Sequence, residues 1–176
     1  MINKCKETIN GYKESGVKYL LCKSIKTGFS FGLTSGVITT LGLIMGIYSS
    51  THSRLAIIGG IITIAIADSF SDALGIHISE ESQKEHTEKE IWQSTIATLL
   101  SKAIFASSFI FPFVLFSLGT AALVSFIYGF LLLGIFSYFL GEDKKNSIKI
   151  VGEHLFIMCV VLALTYSAGI FIGKMF

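Results

Sequence analysis

Charge is scarce in this chain. Of its 176 residues only 15% are Asp, Glu, Lys or Arg, while 52% are hydrophobic. Soluble domains carry about 25% charged residues. A soluble chain of this size has nowhere to hide so much apolar surface, so lipid is the solvent that the composition implies. Proline occurs once, which excludes collagen-like and Pro-rich disordered classes. Cys5, Cys22 and Cys159 are odd in number and widely separated, and none forms a CxxC pair. Neither a zinc ribbon nor a disulfide framework is indicated. There is no HExxH, no GxSxG and no glycosylation sequon, and no Ser/His spacing that would assemble an intramembrane hydrolase, so no enzyme is expected. Gly169-Ile-Phe-Ile-Gly173-Lys174 is one residue short of a phosphate loop and lies at a membrane edge. The net charge of +2 leaves no nucleic-acid footprint.

What is present is a set of long apolar runs. The first 23 residues are polar and lysine-rich with no apolar h-region, so a cleaved signal peptide is not expected. Ile2, Ile9, Tyr12, Val17 and Tyr19–Leu21 suggest one face of a short helix lying on the membrane surface. Between Thr27 and Ser53 no residue carries a fixed charge. The stretch from Leu55 to Ser79 is interrupted only by Asp68 and Asp72. Between Lys102 and Glu142 lie 39 uncharged residues, which as one helix would extend about 58 Å. A hydrocarbon core is about 30 Å thick, so this run must hold two spans. Ser117-Leu-Gly-Thr120 is the expected turn between them, and Pro112 is expected to kink the first of the two.

The expected architecture is an all-α membrane protein. A cytoplasmic segment, residues 1–25, precedes a five-helix domain, residues 26–176. The spans fall at about 26–48, 55–79, 93–116, 120–141 and 149–173, with the second helix extended into the cytoplasm. With five spans, twelve of the fourteen Lys and Arg residues lie on one side, including Lys84, Lys89 and Lys102 after the second span. Arg54 and Lys174 lie on the other. Basic residues favour the cytoplasm, so the N-terminus and the 80–90 segment are expected inside.

Asp68 and Asp72 are the sharpest chemical feature. At i, i+4 they share a helix face near mid-membrane. A carboxylate there costs at least ~2.5 kcal/mol, so it faces a bundle interior or a water path. Two carboxylates one turn apart repel unless a cation or proton sits between them. A divalent-cation or proton site is the functional expectation, and a helix cap or interhelical hydrogen bond is the structural one. Continuing the second helix would line up His77, Glu81, Glu85 and Glu88, a Glu/His set suited to Fe²⁺, Mn²⁺ or Zn²⁺. A solvated charged face is the competing reading. Glu153 and His154 open the fifth span and would join Asp72 if that span packs beside the second. Gly28, Gly32 and Gly36 form a GxxxGxxxG run, and Gly42/Gly46 and Gly169/Gly173 repeat the spacing, which suits close packing of helices within or between subunits; a homodimer with the first span at or near its interface is the expectation.

The runs Gly32-Leu-Thr-Ser-Gly36-Val-Ile-Thr-Thr-Leu-Gly42-Leu-Ile-Met-Gly46 and Asp72-Ala-Leu-Gly75-Ile-His-Ile-Ser79-Glu-Glu-Ser82-Gln-Lys-Glu85 resemble the first two helices of the vacuolar iron transporter (VIT) family. The resemblance implies a homodimer in the lipid bilayer of a prokaryotic cell. It would move Fe²⁺ or Mn²⁺ out of the cytosol in exchange for protons, with the metal as cargo and no resident cofactor. Asp68, Asp72, Glu81, Glu85, Glu88, Glu153 and His154 would be its metal-handling residues, and Gly28, Gly32 and Gly36 its packing stripe. The chain departs from the family in carrying Ser35 where the family has Asp, Asp72 where it has Met, and Ile76 where it has Glu. It also keeps only about a dozen residues of the family's glutamate-rich cytoplasmic domain. A membrane scaffold or sensor without transport is the alternative.

The charge asymmetry gives a first prediction. A cysteine replacing His52 should react with an impermeant thiol reagent added from outside, and one replacing His86 should not. The reverse pattern would overturn the topology.

Overall fold

The computed structural model describes residues 15–84, 86–140 and 144–175. Five helices in it are long and apolar enough to cross a membrane. They are α1, Ser15–Thr51, α2, Arg54–Gln83, α3, Glu88–Leu115, α4, Leu118–Leu140, and α5, Lys144–Met175. No strand occurs among the described residues. The chain is an all-α, multi-pass membrane protein. The suggested surface helix before residue 15, Cys5 and Glu85 lie outside the described residues. Val17 and Tyr19–Leu21 are continuous with α1 instead of forming a separate element.

α1 is the hub. It packs most extensively on α3 and α5 and also touches α2 and α4, while α2 lies against α3 and α4 against α5. The sequence reading placed the Gly28/Gly32/Gly36 stripe at or near a subunit interface. The structure places it inside the chain, against α3. A Cβ at Gly28 would run into the carbonyl of Ser94, and one at Gly32 into Ser101 and the backbone of Thr98. The vacated space lets Thr98 Oγ1 donate to the Gly28 carbonyl at 3.1 Å. Gly169 and Gly173 bring α5 onto α1 at Gly46 and Ser50 in the same way. Lipid supplies no hydrophobic drive for helix pairing, so close backbone approach and interhelical hydrogen bonds must do it. The outward faces of α2, α4 and α5 carry large apolar side chains such as Phe70, Leu131 and Phe156, as lipid contact requires.

Two breaks shape the long helices. In α2 the buried side of the rod runs Ile57, Ile61, Ala65, Ser69, Ala73. Steps of four residues drift about 40° each around a 3.6-residue helix. A π-helical turn at Ile64–Asp68 widens the winding where the stripe would otherwise rotate off its neighbour. In α3 the helix tightens at Phe109, whose N–H bonds the Ala106 carbonyl at 3.2 Å. Pro112 lacks the N–H that would have bonded residue 108, so the break falls one turn before the proline. The α3–α4 turn is Phe116-Ser117. The remainder of the expected Ser117–Thr120 turn already belongs to α4.

If the stripe is spent within the chain, its loss should unfold the monomer before it affects any assembly. Gly32→Leu should lower stability in detergent by about 1–3 kcal/mol or more. Gly134→Ala, where a Cβ meets nothing within 4 Å, should leave the melting temperature unchanged or raise it. An unchanged melt for Gly32→Leu with loss of a dimer would restore the interface reading.

Candidate membrane-embedded charge site

Asp68 and Asp72 sit where hydropathy placed them, near the middle of α2, and they do not stand alone. Lys102, near the middle of α3, reaches both carboxylates. Its Nζ lies 2.6 Å from Asp68 Oδ2 and 2.5 Å from Asp72 Oδ2. Ser35, near the middle of α1, completes the cluster. Its hydroxyl donates to Asp72 Oδ2 at 2.7 Å and accepts from Lys102 Nζ at 3.0 Å. Gly36 makes room for the lysine stem: a Cβ there would stand 3.3 Å from Lys102 Cγ.

The cation between the two aspartates is therefore the protein's own. The sequence reading counted Lys102 among cytoplasmic positive charges. Instead its side chain is 0% exposed, about 21 Å along α3 from Glu88. It leaves the topology count, which becomes eleven against two. The cluster keeps a formal charge of −1, so removing Lys102 would leave two carboxylates without a counter-charge at a cost of about 3–5 kcal/mol, whereas neutralising one aspartate leaves a matched pair.

The cluster has a closed side and an open side. Lys102 comes from the bundle interior, whereas the Asp68 side chain is 36% exposed. Asp68 lines an open groove of about 400 Å³ with Thr63, Ile64, Ala67 and Ser71. Polar groups in this groove face the region that lipid or another chain must cover.

The other expected site residues are not gathered here. α2 ends at Gln83, where Lys84 takes the left-handed conformation at φ 55° and ψ 12°. A new helix then starts with a capping box, in which the Thr87 N–H and hydroxyl both donate to Glu90 Oε2 at 2.8 Å. The expected Glu81–Glu85–Glu88 face therefore does not form. Glu81 is exposed on the last turn of α2 and Glu88 on the first turn of α3. α5 packs on α1 and α4, so Glu153 and His154 do not meet Asp72. Glu153 is exposed and 3.7 Å from Lys149, and His154 Nδ1 lies 2.7 Å from Ser137 Oγ. Among the described residues no group of three or more Asp, Glu, His or Cys side chains is arranged to hold a metal ion.

Sequence reasoning missed Glu80 as well as Lys102. Glu80 is buried, and Ser94 Oγ, fully buried, donates to its Oε2 at 2.5 Å. It lies on a cleft of about 220 Å³ with Lys23, Thr27, Ser79, Gln83 and His86. This cleft gathers the start of α1, the end of α2 and the α2–α3 turn at one end of the bundle. Arg54, bonded to the Phe116 carbonyl at 2.8 Å, marks the other end.

The contrast between neighbours is measurable. Glu80→Ala should cost about 1–3 kcal/mol of stability by removing the buried hydrogen bond from Ser94, whose hydroxyl is left with the Ile91 carbonyl alone, while Glu81→Ala should stay within about 0.5 kcal/mol. Equal effects at the two positions would contradict this placement.

Compared with known proteins, residues 29–91, about a third of the chain, match the model of the VIT family. The matched stretch takes in most of α1, all of α2 and the start of α3, with Ser35, Asp68, Asp72 and Glu80. Lys102 lies beyond it. No curated protein and no solved structure gives a match.

Proposed function

With residues 29–91 carrying the VIT-family pattern, which points to metal-ion transport, we propose that the protein carries a divalent cation, Fe²⁺ or Mn²⁺, out of the cytosol. Asp68 and Asp72 are its ligands in the membrane. The observation that carries this reading is the pair of carboxylates one turn apart near the bilayer centre, with Asp68 on an open groove that also bears the Thr63 and Ser71 hydroxyls. In low dielectric the pair demands positive charge. A divalent ion entering from the groove supplies it, and protons supply it as the ion leaves. Oxygen ligands, with the Ser35 hydroxyl beside them, favour harder ions such as Mn²⁺ over the preference of a site containing Met. Exposed Glu81 and Glu88 flank the α2–α3 turn and draw cations toward that end of the bundle. The N-terminus faces the cytoplasm of a prokaryotic cell.

One chain offers two carboxylates and a hydroxyl, fewer than the six oxygens that a hard divalent ion commonly takes. A second copy placed against the α2 groove would cover the half-exposed Asp68 and add ligands from its own groove. We therefore assign the homodimer interface to the face bearing Thr63, Ala67 and Ser71, in place of the glycine stripe of α1. Ala67→Cys should then cross-link to a second copy in the membrane.

A second reading has an observation in its favour. Lys102 satisfies both aspartates, as a purely structural ion cluster in a non-transporting membrane protein would require. Transport measurements in proteoliposomes separate the two. Asp72→Asn keeps the shape and removes the charge, so metal uptake should vanish while the fold survives. Asp68→Asn should abolish uptake or shift its pH optimum. Wild-type rates from both variants between about pH 5.5 and 8 would leave only the structural reading.

A further inference from the structure

The transport reading leaves one group without a task. Lys102 is fully buried and holds both aspartates at 2.5–2.6 Å, on the side away from the groove. An ion arriving through the groove meets two carboxylates already engaged. We propose that Lys102 is a tethered counter-cation that competes with the incoming ion for Asp68 and Asp72, and so determines which cations the pair accepts. The proposal rests on the assignment of these aspartates as the transport site.

The competition is unequal for different ions. The ammonium is attached to α3, so its approach costs no translational freedom, whereas a free ion must surrender both that freedom and part of its hydration. A monovalent ion offers the carboxylates the same charge as Lys102 and would leave a buried ammonium with fewer partners, so it gains nothing. A divalent ion doubles the attraction at a given distance and can prevail. Lys102 thereby filters by charge, a selectivity that two bare carboxylates lack. The structure also gives the displaced ammonium a neutral partner, because Ser35 Oγ already accepts from Nζ at 3.0 Å.

The test measures Mn²⁺ binding to the purified protein in lipid nanodiscs, with and without excess Na⁺. Lys102→Gln should bind Mn²⁺ about tenfold or more tightly than the unsubstituted chain, within the usual range of coupling between sites. It should also become sensitive to Na⁺, which the unsubstituted chain ignores. Lys102→Arg, which keeps the charge and adds a forked grip on carboxylates, should bind Mn²⁺ more weakly. Mn²⁺ affinity that is unchanged or reduced in Lys102→Gln, with Na⁺ still ignored, overturns the proposal. If the glutamine variant fails to fold, the arginine variant decides: binding equal to or tighter than the unsubstituted chain overturns it. If only Lys102→Gln binds Mn²⁺, and Asp72→Asn removes that binding, Lys102 controls the pair as proposed while the transport reading fails.

Discussion

Two negative charges one helical turn apart near the middle of a bilayer are the constraint around which this bundle is arranged. They cannot persist bare in low dielectric, and the chain answers with Lys102 from one neighbouring helix and Ser35 from another. Three helices are thus tied at one level, each near its midpoint. The tie is polar where most of the surrounding surface is apolar, so it fixes helix register more sharply than interdigitating Leu and Ile side chains would.

Bringing the lysine to that level demands close helices. The glycine stripe of α1 lets the backbone of α3 approach at Ser94 and Thr98, and Gly36 leaves room for the lysine stem. The π turn of α2 ends at Asp68 and keeps the Ile57–Ala73 stripe facing inward on both sides of it. The Asp68 carboxylate then looks partly inward to Lys102 and partly out to the groove. Packing and chemistry share residues here, and the groove is the part of the arrangement that a single chain leaves uncovered.

Much of this was legible in the residues. The five spans follow from apolar runs measured against bilayer thickness, and Asp68 and Asp72 stand out because no other residue between Leu55 and Ser79 carries a fixed charge. Lys102 was readable in principle, since the expected span 93–116 already contained it. Its position near a helix start reads as a topology signal, because lysines there usually flank the membrane and nothing local distinguishes a buried lysine from a flanking one before its partners are known. The glutamate stripe failed for a local reason. Periodicity alone continues a helix through Lys84 and Glu85, while the Thr87-x-x-Glu90 capping box that restarts the chain is written in the sequence and outweighs it. The glycine spacing announced close packing but not its partner, because within and between chains the same contacts are made. Nothing local separates Glu80 from its exposed neighbours, since its burial depends on Ser94 in another helix.

The position of a bound ion would test this picture most directly. Anomalous scattering from crystals grown with Mn²⁺ should show the metal on the groove side of Asp68 and Asp72, with Lys102 Nζ withdrawn from their carboxylates toward Ser35. Metal found only elsewhere, with Lys102 still bound to both aspartates, would contradict it.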